Sequence, residues 1–260
     1  ELLWIALAKL GSWLANGHPP WAAYRAPRAC RLVALDKEPG TRPVGIGEIY
    51  SRLLAKCVLQ QVGLEATHAC GSLNLCVGLK SGIEGAVHAI QSLWDEHHPT
   101  AGPPAGGPTG GSSPARETTG GTTEGEAPPG APPDNMNGGL TATEDEDDGA
   151  TDDDPWGGLL ADAFNGFNEL QRKAMLWTIR HLWPSGARMS YNAYRHSAIL
   201  VFRGRDGQCE FLLSREGVTQ GDPLAMLLYG LALAPLARNI RDAVPEVVQP
   251  WYADDGALAA

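Results

Sequence analysis

Positive charge is scarce in this sequence. Its 260 residues carry 20 Lys and Arg against 30 Asp and Glu, a net charge of −10, which argues against a uniformly phosphate-binding surface, since such a surface is built from Lys and Arg. The deficit is local. Twelve acidic residues and a single base, Arg116, fall between positions 101 and 155, and the remainder holds 19 basic and 18 acidic residues. That near-neutral remainder is compatible with a local basic groove. Cysteine is equally sparse: Cys30, Cys57, Cys70, Cys76 and Cys209 are odd in number and lack metal-ligand spacing. They exclude a zinc module or a disulfide framework and read as reduced thiols of an intracellular protein, in nucleus or cytoplasm. Long hydrophobic runs are missing too. The apolar opening, Leu2 to Leu14, is interrupted by Lys9 and is too short to span a membrane or to serve as a targeting peptide. The chain reads as a piece of a longer product, because Glu1 is not an initiating methionine and the sequence stops four residues after Gly256.

The residues that are present carry a clear pattern. Leu3, Leu7, Leu10 and Leu14, with Trp4 and Ile5, predict an amphipathic helix ending near Asn16-Gly17. Leu32, Val33 and Leu35 predict a short strand up to Asp36, and Thr41–Gly47 an edge strand, because Pro43 cannot donate to a central ladder. Helical spacing returns from Glu48 and again over Ser81–Trp94, and Arg52 and Lys56 read as a solvated basic face. Residues 99–155, dominated by Gly, Pro, Thr and acidic side chains, hold too little apolar surface to offset chain entropy and predict a disordered insertion. Beyond it, Leu159 and Leu160 predict a strand ending at Asp162, followed by a helix from Glu169 to about His181. Ile199–Phe202 and Cys209–Leu213 predict a hairpin. Asp222 and Pro223 suit the N-cap and first turn of a helix running to about Ile240. Val247, Val248, Trp251 and Tyr252 predict a buried strand, with Gly256-Ala257-Leu258 starting its return. The order predicts an α+β fold, a small sheet backed by helices.

The carboxylates point to chemistry. Asp254 and Asp255 sit side by side at the tip of the last hairpin, and adjacent anions are normally stabilised by a cation. Oxygen-only ligands suit Mg²⁺, with Mn²⁺ as the alternative. Asp162, at the end of a separate strand, is a third. Carboxylates from two strands can hold the pair of metals that nucleotidyl transfer uses.

Together these motifs resemble reverse transcriptases, in particular those of non-LTR retrotransposons and group II intron-like elements. Tyr252-Ala253-Asp254-Asp255 matches the family's Tyr-x-Asp-Asp signature. Asp162-Ala163-Phe164-Asn165-Gly166-Phe167-Asn168, with Arg172 beyond, is similar to its Asp-x-x-Asn-Ala-Phe-Asn-x-x-x-Arg element. Gly217 to Leu224 is similar to its Gly-x-x-Gln-Gly-Asp-Pro-Leu element. Arg31 to Lys37 and Arg42 to Glu48, with Arg52 and Lys56, resemble the family's fingers strand and helix. Gly166 departs from the usual alanine.

The resemblance implies an RNA-directed DNA polymerase with right-hand architecture. Residues 1–98 would form a fingers region with its N-terminal helix, 99–155 the insertion, and 156–260 a palm, with the thumb outside this piece. Asp162 and Asp254 would be direct metal ligands, with Asp255 as a secondary ligand and the Ala163 carbonyl assisting. Phe167 would stack under the incoming sugar and exclude a 2′-hydroxyl. Gln220 and Gly221 would lie against the nascent base pair, and Lys37 and Arg42 would meet the triphosphate. The implied partners are an RNA template with a DNA or RNA primer, dNTPs, two Mg²⁺ and no membrane. Two alternatives stand beside this reading: an RNA-dependent RNA polymerase, and an inactive retroelement remnant or nucleic-acid-binding fragment.

Overall fold

A computed structural model describes residues 1–38, 40–97 and 156–260. The insertion expected over 99–155 lies outside them. The first helix, α1 (Leu2–Asn16), forms where the apolar spacing places it. A single turn, α2 (Trp21–Arg25), follows His18-Pro19-Pro20, which interrupts helical continuation. Strands β1 (Cys30–Asp36) and β2 (Thr41–Gly47) pair antiparallel, Ala34 opposite Pro43. Helix α3 (Ile49–Cys70) ends at Gly71, whose φ of 84° only glycine adopts readily. Helix α4 (Gly82–His97) completes the first half.

The second half opens with β3 (Gly158–Asp162) and one turn of helix, α5 (Gly166–Glu169). Leu170 and Gln171 then separate that turn from α6 (Arg172–Leu182), so the helix expected from Glu169 begins three residues later, at Arg172. A further helix, α7 (Pro184–Tyr194), was not expected. Its apolar positions are few, but Pro184 at its first turn is a start signal that pattern reading passed over. The hairpin β4 (Ala198–Arg203) and β5 (Cys209–Ser214) follows, then α8 (Ala225–Ala243). Strands β6 (Trp251–Tyr252) and β7 (Asp255–Ala259) close the chain.

Two sheets form where one was expected. The strands order as β2-β1-β4-β5 in the first and β3-β7-β6 in the second. The middle hairpin joins the first through parallel pairing of β4 with β1, Cys30 opposite Leu200. Short-range pattern reveals a hairpin but not its distant partner, and a parallel neighbour 170 residues away leaves no local signal. Pro43 sits on an edge strand, as its missing N–H requires.

The core gathers among the helices. Met175, Ile179 and Trp183 of α6 and its C-terminus are fully buried against Leu224, Leu228 and Leu231 beside and within α8, with Ala55 and Ala66 of α3 closing the layer. Buried polar atoms tie the outer helix in. The Asn192 amide donates to the Leu14 and Gly17 carbonyls at 3.0 and 3.1 Å, satisfying carbonyls that the end of α1 would leave unpaired. The segments Glu1–His98 and Trp156–Ala260 make one compact unit.

Candidate active site

The antiparallel ladder of β3 and β7 places Asp162 directly opposite Asp255. Residues so paired have Cα atoms about 4.5–5.5 Å apart. One step further, the Ala163 N–H donates to the Asp254 carbonyl at 3.1 Å, so the two carboxylate-bearing ends are stitched by backbone. The hairpin β6–β7 turns through Ala253 and Asp254 alone, with Tyr252 opposite Asp255 and Ala253 at a left-handed φ of 56°. A two-residue connection of that kind matches the twist of the strands and fixes their register.

The hairpin is anchored from behind. Trp251 exchanges backbone hydrogen bonds with the loop after α3, its N–H donating to Leu73 O and its carbonyl accepting from Leu75 N, both at 2.8 Å. Its indole N–H reaches the Gln249 side chain at 2.9 Å, and Gln249 in turn donates to Ala237 of α8 at 3.0 Å. The tip that carries the aspartates is therefore seated on two other elements.

Electrostatics register the clustering. Burial, then Asp254 and Asp162, raise the Asp255 pKa, and Lys37 opposes them. Tyr229 is pushed up to about 12 by burial and by Asp254, Asp255 and Asp162 together. Three carboxylates thus share one end of the second sheet, and Lys37, just beyond β1, acts electrostatically on Asp255 among them. Arg42 stands between Thr41 and Pro43, which line a cleft. Strand alternation turns its side chain to the opposite face.

That cleft, of about 670 Å³, is lined by Leu32, Pro43, Leu212, Asn168, Val218 and Gln220 among others. It runs between the first sheet and the loop entering α8. The loop meets the edge strand through backbone: Gly45 N–H donates to Gln220 O at 2.9 Å. Gly221 has a φ of 105°, and a Cβ there would approach the Gly45 carbonyl to 2.6 Å. Glycine is required for this close approach. The same holds at Gly217, where φ is 73° and a side chain would collide with the carbonyls of Phe167 and Asn168.

Phe167 lies at the meeting of these parts. Its carbonyl accepts from Val218 N at 2.7 Å, and its ring stacks on Tyr229 at 4.7 Å between centroids. The Ala163 carbonyl accepts the Gly166 N–H at 3.0 Å. Strand β3, the turn of α5 and the Gln-Gly loop are thereby one connected surface.

Two structural hubs escaped sequence reading. Arg172, matched only as part of a motif, is 5% exposed. Its guanidinium donates to Gly217 O (2.8 Å), Ser214 O (2.8 Å), Ser214 Oγ (2.7 Å) and Glu216 O (3.1 Å). It fastens the segment just before the Gln-Gly loop. Asp222 accepts from Arg28 Nη1 at 3.1 Å and from Tyr194 OH at 2.7 Å. The other carboxylate oxygen takes the Leu224 N–H at 3.0 Å. Asp222 is not the N-cap expected of it: α8 begins at Ala225, with Leu224 as its N-cap, and the Asp222 carboxylate instead closes the turn that precedes the helix. Its pairing with Arg28 joins positions 194 residues apart, a partnership that no local motif announces. Burial and Asp222 push the Tyr194 phenol far up.

The donor set fits a hard divalent cation in one respect: it is all oxygen. Among the described residues no three Asp, Glu, His or Cys converge tightly enough to form a cage by themselves. No helix of the described residues is long and apolar enough to cross a membrane.

No protein-family model matches the chain, and no curated protein matches by sequence. Solved structures do. Telomerase from Candida albicans, in complex with a fragment of telomeric RNA, is similar at TM-score 0.53 and 8% identity, over 99% of this chain and 42% of that one. Apo telomerase from Candida tropicalis is similar at TM-score 0.51 and 9% identity, over 100% and 44%. A form of it truncated from the C-terminal domain is similar at TM-score 0.51 and 10% identity, over 90% and 44%. The chain spans less than half the length of these neighbours. The mixed helix-and-sheet fold of this chain is thus similar to part of the telomerase fold.

Proposed function

We propose that the chain is the fingers and palm of an RNA-directed DNA polymerase from a retroelement of the non-LTR or group II intron-like kind, acting by two-metal nucleotidyl transfer. The pairing of Asp162 with Asp255, beside Asp254, supports this most directly, because the three motif aspartates come from strands far apart in sequence yet share one sheet end. Asp162 and Asp254 would hold Mg²⁺, with Mn²⁺ an alternative, and Asp255 would orient the pair. When bound, the metals supply activation of the primer 3′-hydroxyl and stabilisation of the triphosphate charge. Lys37, whose charge opposes the carboxylate repulsion at Asp255, would meet the triphosphate, whereas Arg42, turned to the face of β2 away from the cleft, is left without the role the resemblance implied. Phe167 excludes a ribose 2′-hydroxyl. Gln220 and Gly221, on the rim of the cleft, lie against the nascent base pair over an RNA template and its primer.

The test is primer extension by the complete natural product that carries this chain, with dNTPs and Mg²⁺ on an RNA template. Extension should fall at least about a hundredfold in Asp254→Asn, the scale expected when a charge-stabilising group of the transition state is lost. Extension at the unaltered rate in that variant would falsify the two-metal assignment.

A further inference from the structure

Tyr229, on α8, is 5% exposed. Its ring lies nearly parallel to that of Phe167, 18° between planes and 4.7 Å between centroids, an offset stack that restrains both side chains. Its hydroxyl end reaches over Gly166. A Cβ at residue 166 would stand 2.5 Å from the Tyr229 oxygen and 3.0 Å from the Asp254 Cβ, so the phenol and Asp254 flank the space that Gly166 leaves open. A buried ring stacked on its neighbour has little room to swing aside, and an alanine methyl at 166 would displace either the phenol or the aspartate. Gly166 and Tyr229 are therefore complementary. The glycine, a departure from the family's alanine, is matched by a side chain 63 positions away.

We propose that Tyr229 is a positioning residue of the nucleotide site: its ring fixes the plane of Phe167, and its hydroxyl occupies the space Gly166 leaves beside Asp254. The Tyr229–Gly166 pair thereby sets how sharply Phe167 discriminates the sugar. The consequence for sugar choice rests on the polymerase reading above, whereas the pairing rests on the packing alone. The raised phenol pKa, caused by burial and the three aspartates, agrees with a hydroxyl turned toward the carboxylate end.

Two measurements test it. In thermal melting of the complete product, Gly166→Ala should lower the midpoint, Tyr229→Phe should change it little, and the double variant should recover most of the loss. A double variant as unstable as Gly166→Ala alone overturns the pairing. In primer extension, Tyr229→Leu should relax the preference for dNTP over rNTP about tenfold, the size of one aromatic pair, chiefly through a lowered rNTP KM. Tyr229→Phe, which keeps the stack, should hold the wild-type ratio. A ratio unchanged in Tyr229→Leu while Phe167→Ala relaxes it overturns the brace. A ratio unchanged in both variants overturns the sugar-gate role of Phe167, and no extension by the wild type overturns the polymerase reading; in either case the melting cycle decides the pairing by itself.

Discussion

Arg172 is buried as a cation, and among the described residues its guanidinium protons go to carbonyls and one hydroxyl and to no carboxylate. Burial lowers its pKa, and the Tyr194 ring beneath it and Glu216 partly offset that. Its value is geometric, since it gathers the carbonyls of residues 214, 216 and 217 just before the Gln-Gly loop. Arg172→Met keeps much of the volume but leaves those carbonyls without donors. Each orphaned buried acceptor costs about 1–3 kcal/mol, and shared relaxation makes the sum smaller, so the loss of stability should be about 3 kcal/mol. Urea unfolding of wild type and variant checks this. A difference below about 1 kcal/mol would mean the loop is held elsewhere.

At the scale of elements, the attachment of α1 is set by few groups. The helix shows Leu2, Leu3 and Trp4 to solvent, and its inner side meets α3 through the Tyr50 hydroxyl, which donates to Leu7 O at 2.5 Å. Its C-terminus meets α7 through Asn192. Asn192→Ala should cost about 1–3 kcal/mol. Because only the end of α1 loses partners, the loss should show as faster amide hydrogen exchange in α1, with α6 and α8 retaining wild-type protection. Uniform acceleration across all three would contradict a local role. The same reasoning applies to β6, two residues long, which owes its place to the loop after α3 and not to its own strand propensity.

For the molecule as a whole, several buried groups are native only while protonated. Burial, with Cys76 adding to it, pushes the Cys70 thiol up to about 12, and Tyr229 reaches about 12 as well. Their unfolded values are about 8.5 and about 10. The folded pKa is the higher in both cases, so the stability each contributes is complete below its unfolded value and is lost as pH rises toward 12. The melting midpoint should therefore fall steadily from about pH 9 to pH 11, more steeply than in Cys70→Ala, which lacks one of these protons. A midpoint flat over that interval, measured by circular dichroism, would show that these groups titrate no differently in the folded chain.

Local pattern determined a good deal of this protein. The spacing of leucines defines α1, Pro43 assigns β2 to an edge, and the aspartates stand at the ends of β3 and at the β6–β7 turn, because period, turn chemistry and missing donors act within a few residues. Helix α7 escaped because its short apolar stripe is completed by α1 and α6. The second sheet escaped because strand partners are chosen by packing across the whole chain. Only the tertiary structure decided that Asp162 faces Asp255, that Asp222 pairs with Arg28, that Arg172 fastens the loop before Gln220 and that Tyr229 fills the space over Gly166. Each of those joins residues more than forty positions apart, and a contact between such residues exists only once strand pairing and helix packing have brought their elements together.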